Sequence, residues 1–200
     1  MTKKEILVIV AHPDDETIWM GGTLLKIKEK DDSNITIITL CRKEDTDRAP
    51  KFAKVCTMLG TKEYHMSNLD DCEEGDYKKI SNHEIIEKIF EFTQFNGKYY
   101  DSLYTHGEEG EYGHIRHIEA HKAICEMLDK KLLLAKQVFF FSYLKTKENS
   151  NINSNADKLI KLENPYFKMK KQLIKEVYGF NEGSFEYESA RDVEAFDIKK

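Results

Sequence analysis

Ile6-Leu7-Val8-Ile9-Val10 is an unbroken apolar run rich in β-branched side chains, and Ala11-His12-Pro13-Asp14-Asp15-Glu16 follows it at once. An apolar run with no polar alternation predicts a strand covered on both faces, the habit of parallel sheets. Working outward, Thr17 to Lys30 predicts a helix, and Gly21-Gly22 within it marks a close approach of another part of the chain. Ile35 to Leu40 repeats the buried-strand pattern. Arg48 to Leu59 predicts a helix that stops at Gly60. Tyr64 to Met66 is a short strand. Ser81 to Phe95 is an amphipathic helix with Ser81 as its N-cap and Glu84 completing a capping box. Asp101 to Thr105 is a strand, His114 to Leu128 a helix, and Gln137 to Tyr143 a strand. The polar, Asn-rich stretch Lys145 to Asn155 reads as a loop, and Phe167 to Val177 as a last helix.

Strands alternating with helices predict an α/β fold: a mainly parallel sheet between two helical layers, in a single domain over residues 1–200. Crossovers are expected to be right-handed. Hydrophobic residues make up 40% and charged residues 34%, which favours a soluble globular protein over a disordered or membrane one. Thirty-one basic against 36 acidic side chains leave a net charge of -5, so there is no electrostatic case for nucleic acid. No stretch reaches the ~20 apolar residues of a membrane span, and the run after Lys4 is too short for a secretory leader. Cys41, Cys56, Cys72 and Cys125 show no CxxC spacing and read as free thiols in a reducing cytoplasm. A homo-oligomer is neither required nor excluded.

In a sheet of this kind, ligands sit beyond the carboxyl ends of the strands. That singles out His12 to Glu16, Arg42 to Arg48 and His106 to His117. In the first segment four ionisable residues occupy five positions. Carboxylates this close repel unless a cation lies between them, and His and Asp are proper zinc ligands. Pro13 and Asp14 also suit a turn, and Asp14 or Asp15 a helix cap, but the place at the mouth of a buried strand favours the metal. In the segment from His106, His114 and His117 stand three apart at a helix start and share a face. Each can reach a site that His12 and Asp15 also reach. His121, one turn further on, is set aside, because three protein ligands leave a catalytic zinc its open position. His65 and His83 read as ordinary histidines.

The segments AHPDDE at 11–16 and GEYGHIRH at 110–117 resemble the PIG-L/LmbE-like family of N-deacetylases. Gly21-Gly22, Arg48, Leu59-Gly60 and the closing Val193-Glu194-Ala195-Phe196 extend the resemblance over most of the chain. It implies a Rossmann-like fold and a divalent metal, usually zinc, with Fe2+ also compatible. It assigns His12, Asp15 and His117 as ligands and Asp14 as general base. It assigns His114 to stabilising the oxyanion or donating a proton, and Glu16 to supporting the ligands from behind. One position departs from the pattern. The family often carries Asp or Asn before the ligand histidine, and here Arg116 stands there, which accepts no hydrogen bond.

The implied reaction is hydrolysis of an N-acetyl group on an N-acetylglucosamine-type sugar, by metal-activated water, giving acetate and a free amine. Arg42, Arg48 and Arg116 are candidates to contact an anionic aglycone, and Tyr112 to stack on a sugar ring. A small soluble amino-sugar conjugate is the expected substrate. Three other readings compete with this one. A non-haem iron enzyme shares the two-His-one-carboxylate pattern, but the alternating strands and helices argue against it. A sugar- or metal-binding protein without catalysis predicts a damaged base, whereas Asp14 is present. A dinucleotide binder would carry GxGxxG after the first strand, and this chain does not.

Overall fold

The computed structural model describes residues 2–30, 32–71, 78–93 and 98–199. The β-branched runs form the centre of a seven-stranded sheet. β1 (Lys4–Val10), β2 (Ser33–Cys41), β3 (Glu63–Leu69), β4 (Tyr99–Thr105) and β5 (Leu134–Phe141) pair in parallel, and β8 (Lys158–Lys161) and β9 (Val193–Ile198) add an antiparallel edge. The order across the sheet is β3-β2-β1-β4-β5-β9-β8. β1 therefore lies between β2 and β4. Chain connections leave these two central strands in opposite directions, and their carboxyl ends part to form the crevice where such sheets hold ligands.

Alternate residues of β1 face two cores. Ile6, Val8 and Val10 pack with Ile18, Trp19 and Phe52 under α1 (Asp15–Lys30) and α2 (Arg48–Leu59). Leu7 and Ile9 pack with Ile85, Ile89 and Ile124 under α3 (Asn82–Thr93) and α5 (Ile115–Asp129). Both faces of the strand are covered, which is why its sequence shows no polar alternation. Gly60 ends α2 in a left-handed conformation, and Ser81 Oγ accepts the Glu84 N–H at the start of α3. The expected end of that helix at Phe95 lies outside the described residues. So does Cys72, while Cys41, Cys56 and Cys125 are free.

Three expectations change. The stretch from Lys145 to Asn155 is not all loop: β6 (Tyr143–Lys145) and β7 (Ser150–Ile152) form a hairpin. The last long helix begins earlier, as α6 (Asn164–Gln172), and continues as a π-helical turn over Leu173–Tyr178. Two short helices, α4 (Gly110–Gly113) and α7 (Phe185–Ser189), were not anticipated. The glycine pair behaves as expected. A Cβ on Gly22 would stand 2.3 Å from Leu162 Cδ1. Met20 breaks the helix there with φ -146, and Glu194 on β9 accepts the Gly22 and Thr23 N–H groups that the break leaves free. Among the described residues, no helix is long and apolar enough to cross a membrane.

Candidate active site

The turn from β1 into α1 is pinned from β2. Cys41 N–H and Thr39 Oγ1 both donate to the Ala11 carbonyl. Asp14 then adopts φ 116, which side-chain-bearing residues rarely tolerate. Its carbonyl accepts the Thr17 and Ile18 N–H groups that open the helix. Its own N–H donates to Glu16 Oε2, and Glu16 Oε1 accepts the hydroxyls of Thr17 and Tyr178. The strained turn is thus held on every side, and it sends consecutive carboxylates in different directions.

Asp15 points toward the histidines. His12 Nδ1 and His117 Nε2 each lie 3.3 Å from Asp15 Oδ2, and 3.1 Å from one another. A tetrahedral cation with bonds of ~2.0–2.1 Å spaces its ligand atoms about 3.3 Å apart, so the triangle fits one face of such a site. The distal nitrogens are also engaged. His12 Nε2 lies 3.0 Å from Asp71 Oδ1, and His117 Nδ1 lies 2.5 Å from Glu111 Oε2. Asp15 Oδ1 accepts the Trp19 indole N–H. Metal-binding histidines characteristically hold their second N–H on a carboxylate in this way.

Other donor groupings among the described residues fit less well. His106 also nears Asp15 and His117, but its Nε2 accepts the Ala11 N–H and has no lone pair to spare. His12, Cys41 and Asp71 converge, but burial pushes the Cys41 thiol far up and keeps it protonated, while Arg42 holds Asp71 at 2.7 Å. His114 has nitrogens near those of His12 and His117. It caps α5, its Nδ1 accepting the Arg116 N–H, which leaves the proton on Nε2. That tautomer leaves the ring one N–H to donate and no free lone pair to offer a cation.

The electrostatics follow from this crowding. Burial opposes charge on His117, yet Asp15 and Glu111 outweigh it and lift the imidazole to about 10. Burial would also raise Glu111, but His106 and His117 hold it down to about 2. Asp15 likewise sits well below the usual carboxylate range, because His117 and His12 outweigh its burial. Asp14 is pushed up, by burial first and then by the neighbouring Asp15, with Arg48 opposing in part. Burial raises Glu16 to about 6. Burial, followed by His117 and His12, lowers His114 to about 3, so its ring is neutral near neutrality.

A cleft of about 100 Å³ opens over Asp14, Asp15 and His12. Arg48 lines it and donates to Asp14 Oδ2 at 2.5 Å, its guanidinium lying over the Phe180 ring. Tyr112 lines it too, packed on Phe185 with ring centroids 4.6 Å apart. Arg42 is at the rim. Arg116 is not in the cleft: it is buried, donating to Glu119 and to the carbonyls of Asp70 and Lys78. His121 binds the His106 carbonyl, His65 stacks on Phe92, and His83 is exposed on α3.

A family model described as PIG-L, GlcNAc-PI de-N-acetylase, matches residues 7–128. The chain belongs to the PIG-L family. No curated protein matches it significantly by sequence. Among solved structures it resembles N,N'-diacetylchitobiose deacetylase from Pyrococcus horikoshii, with 15% identity, TM-score 0.70, and coverage of 98% of this chain and 84% of that one. It also resembles the conserved protein TT1542 from Thermus thermophilus, with 16% identity, TM-score 0.67, and 96% and 93% coverage. A third is GalB, the 4-carboxy-2-hydroxymuconate hydratase of Pseudomonas putida, with 14% identity, TM-score 0.62, and 98% and 96% coverage. At these identities the likeness is one of fold.

In this PIG-L domain the matched span carries both segments that the sequence singled out. It also contains residues that sequence reading left without a role: His106, Glu111, Asp71 and Trp19. Glu111 was legible as an acid within GEYGH. Nothing local distinguished Asp71 from the other acids around it, and Phe185 and Glu186 enter the cleft from an element that sequence reading did not anticipate.

Proposed function

We propose that this protein is a zinc-dependent N-deacetylase that removes an acetyl group from an N-acetylglucosamine-type sugar or its conjugate. One observation carries the reading: an Asp-His-His triangle of metal-ligand dimensions, each histidine backed by a carboxylate, with a separate strained carboxylate beside it. His12, Asp15 and His117 would hold the cation, which supplies Lewis acidity and lowers the pKa of water toward ~7. Zinc suits the donor set, and Fe2+ is also compatible with it.

Asp14 takes the proton of the attacking water and returns it to the leaving amine. Arg48 fixes its Oδ2, and Glu16 fixes its backbone N–H. His114, with its proton on Nε2, donates a hydrogen bond to the oxyanion that forms on the carbonyl. Tyr112 and Phe185 offer an aromatic wall for a sugar ring. Both arginines at the cleft are already paired, Arg48 with Asp14 and Arg42 with Asp71, and Glu186 adds a further acid. The cleft therefore favours an uncharged, hydroxylated substrate over an anionic aglycone, and Arg116 takes no part in binding. We take residues 1–200 as one deacetylase domain acting on a small soluble substrate in the cytoplasm.

The resemblance to a chitobiose deacetylase supports this reading, but a hydratase shares the fold, so the reaction must be tested at the site itself. The test is acetate release and zinc content in two variants. Asp15→Ala should lose both. Asp14→Asn should keep zinc and lose ~10²–10⁴-fold in turnover. An Asp14→Asn protein that retains most of its activity would remove Asp14 from the base role.

A further inference from the structure

Behind the ligand triangle, two buried histidines share one carboxylate oxygen. His106 Nδ1 lies 2.8 Å and His117 Nδ1 2.5 Å from Glu111 Oε2, while Gly107 N–H donates to Glu111 Oε1 at 2.8 Å. His106 and His117 are 0% exposed and Glu111 2%. The rings of His106 and His117 stack at 3.9 Å. Glu111 reaches this place with φ 59, a left-handed conformation that a glutamate adopts only when its surroundings compel it.

The proton positions follow from one backbone amide. Ala11 N–H can only donate, and it meets His106 Nε2 at 2.8 Å. That nitrogen is therefore the acceptor, and the proton of the neutral ring sits on Nδ1. His106 Nδ1–H then donates to Glu111. Glu111 accepts from His106 on one oxygen and from Gly107 on the other, so it acts as an acceptor throughout. The proton in its third contact belongs to His117 Nδ1. His117 Nε2, the atom in the triangle, is left with a lone pair that would face a cation held there.

We infer that Glu111 is the positioning residue that sets the tautomer of His117, and that His106 relays this setting from the Ala11 peptide. Ala11 directly precedes His12, so one chain of hydrogen bonds ties both ligand histidines together. The inference rests on the proposed ligand set. It also accounts for Arg116. The residue before His117 is free to be a structural arginine because the carboxylate that serves the ligand comes from six residues upstream.

The test uses zinc affinity, by competition with a chromophoric chelator, and imidazole 1H–15N correlation spectra of the full chain. In the spectra of zinc-loaded wild type, His106 and His117 should each carry the proton on Nδ1. In Glu111→Gln the carboxamide must set its N–H₂ against a donor at one end or the other, Gly107 N–H or the two imidazole N–H groups, and the variant should weaken zinc binding by ~10–100-fold while the fold is kept. Glu111→Gln with wild-type zinc affinity would overturn the inference. So would a wild-type spectrum with either Nδ1 unprotonated, and that spectrum decides the matter alone if the variant does not fold. Protein that binds no zinc would overturn this inference and the metal site together. Zinc binding with these tautomers, but without acetate release, would leave it standing and remove only the deacetylase reading.

Discussion

Asp14 combines two costs at one residue: a backbone at φ 116 and a buried carboxylate beside a second one. Such strain amounts to ~1–3 kcal/mol and persists where the surroundings over-determine it. Arg48 is one of those surroundings. Arg48→Ala should lower turnover at least about tenfold with zinc content unchanged, since its Nη1 holds Asp14 Oδ2 and touches no proposed ligand. Unchanged turnover would reduce Arg48 to a surface ion pair. The charged ring of partners also fixes a pH dependence in metal-free protein. Glu111 is held at about 2 against 4.5, so its stabilisation is present above pH 4.5 and lost as pH falls through about 2. His117 is raised to about 10 from 6.5, so its stabilisation is present below pH 6.5 and lost as pH rises through about 10. Thermal melts of the metal-free protein should show the midpoint falling on both flanks, and zinc should flatten the alkaline one by replacing the His117 proton. A metal-free midpoint that climbs between pH 6.5 and 10 would contradict this assignment. At this scale the residues legible in the sequence are those within the two motifs, His12 to Glu16 in the first and His114 and His117 in the second. Asp71 acts on His12 from 59 residues away, and only the fold brings that pair together. Glu111 stands six residues before His117, and its contact depends on a left-handed backbone that the residue types do not announce.

Elements place these residues through a few close contacts. Gly107 follows β4 so tightly on β5 that a Cβ there would stand 2.3 Å from the Phe141 carbonyl oxygen, a backbone atom with little room to move. Gly107→Ala should cost about 1–3 kcal/mol by denaturant unfolding. It should also weaken zinc binding, because Gly107 N–H steadies Glu111. A variant with wild-type stability and affinity would show that the loop yields without consequence. Long apolar elements were readable from the chain because their pattern is local: β1, β2, α2, and α3 over its described part all lie where the sequence put them. The hairpin β6–β7, strand β8 and helix α7 were not. They are three to five residues long, too short for a periodicity to show, and stabilised by partners distant in sequence, such as Ser150 N–H on Ser189 Oγ. The substrate-facing wall belongs partly to this group, so the ligand set was easier to read than the specificity of the cleft.

Across the whole molecule, the order β3-β2-β1-β4-β5 parts the ends of β1 and β4, and both signature segments emerge at that parting. The strand order was beyond sequence reading, since alternation tells which segments are strands but not which are neighbours. Once it is known, the meeting of His12 with His117, 105 residues away, needs no other cause. The fold admits more than one chemistry, and the deacetylase reading stands on what the donor triangle and Asp14 do together. The most direct measurement is acetate release from N,N'-diacetylchitobiose and a panel of neutral and anionic N-acetylglucosaminides, with protein stripped of metal and then reloaded with zinc. A metal-activated water beside Asp14 predicts no release from stripped protein, release restored by zinc, and a preference for neutral members of the panel. Bound zinc with no acetate from any member, or release that persists without metal, would contradict it.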